Sequence, residues 1–431
     1  MHYLMKLFSI MAKKHKRNPQ FGVLMAKPSV YWVKFVAWFS LVGYVAWQSA
    51  IYAIANIAWQ PNPDLALRLV PDHPLALSLK ADIQFMSSQS PASLVKVEKL
   101  AKRSLEQQPL NAVAVRLLGY VADIRGDKKK ARRMMLLAQK ISRRDFGTQL
   151  WLIEDAVARN DTSQALYHYD IAMRTTESSH QVLFPTLIGA LGDSEVRKEL
   201  VPYIRRDPSW LAAFLGYAVN NIEDPADVAE LLTGAGQLPN REDYKSYSNS
   251  LLALLAAKSE FTAFQQYYLS LSDSKVLSLQ SAALNINTVG LRYPVAGWQM
   301  VDNPAIGGAF SLPDKAGRHI LSVFAGTGER GELMSKYLFL KPGSYKFAAG
   351  YSAAEGVPNG EIRWDFLCLF ANGTVSVWFN ASPIQKGRSI STQNFKIKPD
   401  CSTQLLKLQL AGGSGQLGAD FFIQSVDIVL Q

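Results

Sequence analysis

Three hydrophobic patterns follow one another along the chain. From Phe35 to Pro63 there is no charged residue. The core of this stretch, Phe35 to Ile57, would be about 34 Å long as a helix, enough to cross a bilayer. Residues 62–272 carry Ala- and Leu-rich runs of helical length, the pattern of packed amphipathic helices. Near Asn287 the chain changes to Gly, Ser, aromatic and β-branched residues in alternation, the period of half-buried strands. Strands are predicted over 318–325, 332–340, 343–353, 360–370, 374–380, 390–398, 404–411 and 420–430. Turn signals separate them at Lys341-Pro342-Gly343, Pro358-Asn359-Gly360, Asn372-Gly373 and Gly412-Gly413. So many antiparallel strands in about 140 residues predict a β-sandwich.

The expected fold class is therefore multidomain α plus β. It has a basic tail over 1–34, a transmembrane helix over 35–60, a helical-repeat domain over 61–272, a linker over 273–288 and an antiparallel β-sandwich over 289–431.

Charge changes the picture once it is located. The formal net charge is +11, yet seven cations fall in residues 1–34: Lys6, Lys13, Lys14, Lys16, Arg17, Lys27 and Lys34. No Asp or Glu precedes Asp64. The small excess left over the remaining chain does not track a phosphate backbone, which excludes nucleic acid as the main partner. Tyr31 and Trp32 precede the apolar span and Trp59 follows it, as an interfacial aromatic belt would. Cations flank only the N-terminal side, so the positive-inside rule places residues 1–34 in the cytoplasm and the rest across a bacterial inner membrane, in the periplasm. Two rival readings are a cleaved signal peptide, with Ala53-Ile54-Ala55 as the small-residue site, and a buried core helix. The Lys13–Arg17 cluster either fixes topology or also touches anionic headgroups.

Cys368 and Cys401 are the only cysteines. An even count in an oxidising compartment predicts one disulfide, worth about 3–4 kcal/mol in the chain-entropy model; two buried thiols are the alternative. Their spacing matches no zinc site, and no cofactor is implied.

A period of helical hairpins is visible in the middle of the chain. Leu118-Gly119, Gly126, Ala131 and Ala138 are followed 34 residues later by Leu152-Ile153, Asn160, Ala165 and Ala172. A small residue at Ala131 or Ala165 lets two helices approach, and Gly126 or Asn160 permits a left-handed turn between them. These residues resemble the tetratricopeptide repeat, matching at 112–145 and 146–179 and more weakly at 78–111, where Val97 and Ser104 replace the expected alanines. Pro109 closes a repeat as the consensus expects, while Arg143 departs from it. The breaks at Asp207-Pro208, Asp224-Pro225 and Pro239-Asn240 continue a right-handed solenoid of four to six helix pairs. The resemblance implies a concave face carrying Arg116, Tyr120, Asp123, Leu150 and Glu154, suited to a peptide or an envelope protein partner. Solvated scaffold residues are the plainer reading.

In the last third, Gly297-Trp298, the run Leu340 to Phe347 and the closing strand Asp420 to Leu430 resemble carbohydrate-binding modules of the jelly-roll type. That resemblance implies a polysaccharide ligand. Alternation places Ile362, Trp364, Phe366, Cys368 and Phe370 on an inner face. It turns Val375, Val377 and Phe379 inward and Trp378 and Asn380 outward, an arrangement suited to stacking on a sugar ring. Trp298 and Tyr351 are further candidates. Asp427 could help hold a structural calcium, though no ligand-rich loop accompanies it.

Nothing in the chain composes a familiar active site. Glu361 and Asp365 share the outer face of one predicted strand, about 13 Å apart and too far for paired glycosidase carboxylates. None of the histidines, His2, His15, His73, His168, His180 and His319, forms a metal-ligand pair in sequence. There is no P-loop, dinucleotide fingerprint or nucleophile elbow. The architecture resembles accessory components of extracellular polysaccharide assembly and export, which implies a non-enzymatic, membrane-anchored envelope scaffold. The alternatives are a carbohydrate-binding protein with the repeats as spacer, and a glycan-modifying enzyme.

Overall fold

The computed structural model describes residues 29–239, 241–272, 274–284, 292–311, 319–353, 360–370, 372–384, 387–413 and 418–431. The tail cations Lys6 to Lys27, His2, His15, part of the 273–288 linker and the Pro358-Asn359 turn lie outside these residues. The chain divides into two compact units, Met1–Thr148 and Gln149–Gln431, so the predicted repeat region contributes to both.

The first unit holds α1 (Ser29–Ala58), α2 (Pro63–Leu69), α3 (Pro74–Ser87), α4 (Pro91–Gln107), α5 (Ala112–Ile124) and α6 (Lys128–Ile141). Their starts are written locally. Asn62, His73 and Ser90 each cap a helix through a side-chain acceptor and are followed by Pro at the first helical position, where the missing N–H costs nothing. Asn111 and Asp127 cap the next two. Within α1, the stretch Trp32–Ala58 is long and apolar enough to cross a membrane. Its side chains stay exposed through Ala50 and become buried only at Ala55 and Ala58, which pack with Ala66 and Ala76.

Small residues set the helix spacing. Ala81, Ala101, Ala114, Ala131 and Ala138 are completely buried, so no side-chain volume separates the backbones that cross there. Ser104 is also completely buried. Its hydroxyl donates to the Pro74 carbonyl at 2.8 Å and accepts from Asn111 Nδ2 at 3.0 Å. Its departure from alanine thus serves a bond between turns. Gly126 has φ 85° and Asn160 φ 54°, the left-handed turns that a glycine or asparagine tolerates.

The second unit takes α7 (Phe146–Ala158) from its boundary onward. It continues with α8 (Thr162–Thr175), α9 (His180–Ala190), α10 (Ser194–Ile204), α11 (Leu211–Asn221), α12 (Pro225–Ala235), α13 (Glu242–Ala257), α14 (Phe261–Ser270) and α15 (Val276–Gln280). The strands are β1 (Gln299–Met300), β2 (Ile306–Phe310), β3 (Leu321–Ala325), β4 (Arg330–Leu338), β5 (Gly343–Ala353), β6 (Gly360–Phe370), β7 (Gly373–Pro383), β8 (Arg388–Ile397), β9 (Thr403–Gly412) and β10 (Ala419–Leu430). They form two five-stranded antiparallel sheets, ordered β1-β4-β9-β6-β7 and β2-β3-β10-β5-β8. The inner faces share one core, with Phe347, Trp364, Phe366, Leu406, Leu408 and Phe421 completely buried. Cys368 and Cys401 form a disulfide, with Cα atoms 5.6 Å apart.

The segment predicted as a linker is partly packed. Phe339 N–H donates to Leu279 O at 2.8 Å, and Trp298 Nε1 donates to Ala282 O at 3.3 Å. Phe264 of α14 stacks on Phe339, ring centroids 5.7 Å apart and planes 5° from parallel. The last helices and the sandwich therefore share apolar contacts. One cation also lies inside: Lys336 is 1 % exposed and sits 5.9 Å from the Trp298 ring. Burial pushes its ammonium down to about 8.

Replacing Phe264 by Ala removes the centre of this seam. The variant should lose about 3–5 kcal/mol of stability, read as a lower urea midpoint. A change below about 1 kcal/mol would show that the stack is not buried in solution.

Candidate functional site

Three of the predicted concave-face residues, Arg116, Tyr120 and Asp123, are used internally. Arg116 is buried, ion-paired with Asp82 at 2.9 Å and with Asp145 at 3.4 Å. Burial alone would lower its pKa, but the carboxylates of Asp145 and Asp82 outweigh that effect and raise it. Tyr120 stacks on Phe85 at 4.9 Å and donates to Gly147 O at 2.9 Å. Asp123 pairs with Lys128 at 2.6 Å. In the second unit, Leu150 is half-buried and Glu154 exposed. The structure thus commits Arg116 and Tyr120 to helix packing rather than to an open groove, because the buried guanidinium lies between two carboxylates that offset the cost of its burial.

The aromatic platform expected on β7 is not on the surface. The β6–β7 ladder shifts register between Phe366 and Leu367, so that Phe366 faces Trp378 and Leu367 faces Ser376. Val377 is the extra residue. A bulge of this kind reverses the sidedness of everything beyond it. Trp378 is consequently buried, stacked on Phe366 at 5.7 Å and packed on Phe347 at 4.8 Å. Asn380 points inward with it, and its Oδ1 accepts from Ser391 at 2.7 Å and Ser382 at 3.1 Å. Phe379, predicted inside, is 60 % exposed. Trp298 and Tyr351 are buried as well. Trp364 is completely buried, on the inner face that its alternation predicts.

Besides Phe379, two exposed aromatics of the sandwich lie on the outer face of the β2-β3-β10-β5-β8 sheet. Here Gly307 faces Phe324 across the β2–β3 ladder. A Cβ at Gly307 would lie 2.4 Å from the Phe324 ring, so the glycine is what lets that ring lie down on the sheet. Phe324 is 48 % exposed and Phe422 37 % exposed. Phe422 lies opposite Ser322 on one side and Ser352 on the other. Ala309, Ser322 and Ser352 form a low floor beside it. Phe310, Ile320 and Gln424 complete a shallow, mainly apolar groove of about 450 Å³. Gln424 is the extra residue of a second bulge, between Ile423 and Ser425, and its Nε2 donates to Ser352 Oγ at 3.1 Å. Phe324, Phe422 and Gln424 were not singled out by sequence. The Gly307-Gly308 pair was the available signal that something must lie close over β2.

The other outer face is more polar. A groove of about 410 Å³ there is lined by Arg330, Glu361, Ala381, Pro383 and the Gly412-Gly413 turn. Arg330 lies 3.6 Å from Glu361, and Arg363 donates to Asp365 at 2.9 Å while lying 4.7 Å from the Phe379 ring. Both carboxylates singled out for glycoside chemistry are thus held by arginines. Asp427 faces outward opposite Ala348. Among the described residues, no three His, Cys, Asp or Glu side chains converge on a metal site. His168 is buried in the second unit, 2.9 Å from Gln149 Oε1.

No family model matches the chain, and no curated protein matches it. Solved structures resemble the sandwich. They include TmCBM61 in complex with beta-1,4-galactotriose, 12% identical over 31% of this chain and 88% of that one, TM-score 0.23. A CBM22 xylan-binding domain from Paenibacillus barcinonensis is 14% identical over 35% and 93%, TM-score 0.26. A sugar-binding protein described from Bacteroides thetaiotaomicron is 9% identical over 32% and 88%, TM-score 0.25. At these identities the likeness is one of fold alone.

Trp378→Ala should behave as a core truncation, costing about 3–5 kcal/mol by urea unfolding; a loss near zero would return this indole to the surface. Burial lowers His168 to about 4 from its ordinary 6.5. The unfolded chain then binds the extra proton between these values, so stability is full above pH 6.5 and falls as pH drops towards 4. Unfolding midpoints of His168→Asn across that window should fall less than those of the parent, and parallel curves would refute the burial effect.

Proposed function

We propose that this protein is a non-catalytic, membrane-anchored carbohydrate-binding protein. Its sandwich would take a saccharide on the outer face of the β2-β3-β10-β5-β8 sheet. The observation that carries this reading is the Phe324 ring laid over Gly307 beside a floor of Ala309, Ser322 and Ser352. A sugar ring presents an apolar C–H face and a rim of hydroxyls. The first stacks on an aromatic ring and the second pairs with amides and hydroxyls. Phe324 and Phe422 supply aromatic surface; Gln424, Ser352 and Ser322 supply the polar rim. Small floor residues let the ligand approach the sheet closely.

In this reading α1 is the membrane anchor and the segments after Trp59 are extracytoplasmic, where polysaccharide is met. The helical hairpins serve as a spacer. The interior use of Arg116 and Tyr120 supports that role over a peptide groove.

The test uses the detergent-solubilised full chain and affinity electrophoresis in a panel of soluble neutral and acidic polysaccharides. The parent should be retarded by at least one of them. Phe324→Ala and Phe422→Ala should each weaken that retardation by about tenfold, the scale of one lost stacking contact. Phe379→Ala, on the opposite sheet, should leave it unchanged. Full retardation of both variants, or loss only with Phe379→Ala, would move the site off this face, and no retardation of the parent in any polysaccharide would refute the reading.

A further inference from the structure

The turns of the first unit are gathered at one end. Ser104, late in α4, donates to Pro74 O at the start of α3. Asn111, just before α5, donates to both Ser78 and Ser104. Arg103 is ion-paired with Asp72. Arg116, early in α5, reaches Asp145 beyond the end of α6. These contacts require α3 to α6 to alternate in direction, with turns 70–73, 108–111 and 142–147 side by side.

α1 passes the same end. His73 accepts from Ala76 N–H through Nδ1, which leaves its Nε2–H to donate to Asn56 Oδ1 at 3.0 Å. Its ring lies 5.7 Å from that of Tyr52. The turn before α3 is therefore level with Tyr52 and Asn56, and the part of α1 from Trp32 to Ala50 runs on past the unit. Residues 32–50 are exposed throughout. From Trp32 to Ile51 the helix rises about 30 Å, the thickness of a bilayer's hydrocarbon core. An inserted α1 thus sets the turn end at the membrane interface.

The chemistry of that end fits such a place. Leu110, in the turn before α5, is 73 % exposed. Arg68 occupies the last turn of α2 and Lys140 the last turn of α6; both are exposed, as is Arg144. Of the acids there, Asp145 is held by Arg116 and Thr148 and Asp72 by Arg103, while Glu106 is exposed. The basic excess is also local to this unit. Residues 61–148 hold 16 Lys and Arg against 8 Asp and Glu, whereas residues 149–431 hold 23 against 27.

We propose that this turn end is a headgroup-contacting surface selective for anionic phospholipid. Leu110 enters the interface, and Arg68, Lys140 and Arg144 meet lipid phosphates. A cation near an anionic bilayer surface contributes about 1 kcal/mol, or about fivefold in partition. The bilayer is favoured over a soluble polyanion because α1 holds this surface against it, so no second binding event is needed. The proposal rests on the anchor role of α1, and the experiment separates the two.

Cys368 and Cys401 are bonded to each other, so one introduced cysteine is the sole free thiol for an environment-sensitive fluorophore. The full chain is reconstituted in phosphatidylcholine vesicles, with or without phosphatidylglycerol. Three sites are labelled separately: Val42→Cys within α1, Leu110→Cys at the turn end, and Gln89→Cys in the turn at the opposite end of the unit. The probe at 42 should be quenched by acyl-chain spin labels. The probe at 110 should be quenched severalfold more than that at 89 by headgroup spin labels. Phosphatidylglycerol should strengthen the effect at 110, and Lys140→Gln with Arg144→Gln should remove that gain, about fivefold per cation.

An unquenched probe at 42 would sink the anchor and the proposal together. Quenching at 42 with equal signals at 110 and 89 would sink the proposal alone. Equal quenching at 110 in both lipids, or a response at 110 only to added soluble polyuronate, would overturn the selection of anionic lipid.

Discussion

Side chains on a strand alternate between two faces, so a single extra residue decides which aromatics fill the sandwich and which meet water. This constraint governs the C-terminal fold. Val377 shifts the β6–β7 register and sends Trp378 into the cluster of Phe347, Phe366 and Phe395. Gln424 shifts the β5–β10 register. The face flips between Phe422, which looks out, and Val426, which is completely buried. The first bulge gives the core a large ring; the second aims an amide at Ser352 on the outer face. Core and outer groove are thus two products of the same device.

The groove on the outer face of the second sheet is built by leaving atoms out. Gly307, Ala309, Ser322 and Ser352 contribute little side-chain volume, and Phe324 occupies the space above Gly307. An apolar ring held partly exposed over a sheet forgoes some hydrophobic stabilisation. A ligand that covers the ring recovers it, which is why exposed aromatics of this kind mark binding surfaces. On the opposite sheet, Arg363 already lies over Phe379, so that ring's face has a partner within the protein.

The first unit solves a different problem. Its hairpins are drawn together by completely buried alanines and fastened by buried polar groups at one end. Each of these groups has its partner: Ser104 with Pro74 and Asn111, His73 with Asn56 and Ala76, Arg116 with two aspartates. Buried polar groups remain stable when their bonds are made, and these bonds fix the turns relative to the apolar helix that precedes them. In the second unit, apolar stacking of Phe264 on Phe339 joins helix to sandwich, so the sandwich is braced against α14.

Much of the architecture was legible in the residues. The uncharged run from Phe35, the alanines spaced for helix contact, the cap-plus-proline starts and the period-two alternation after Asn287 all act through local geometry or nearest neighbours. Each therefore forces the same element wherever it occurs. The alternation within β6 likewise placed Trp364 in the core. What only the tertiary structure decided were choices between partners. Arg116 and Tyr120 could have faced a groove, but Asp82, Asp145 and Phe85, distant in sequence, claim them. Trp378 could have faced water until a one-residue shift against β6 turned it inward. A strand's own sequence specifies that its faces differ, but a bulge is a relation between two strands, and its position is set only when the ladder forms.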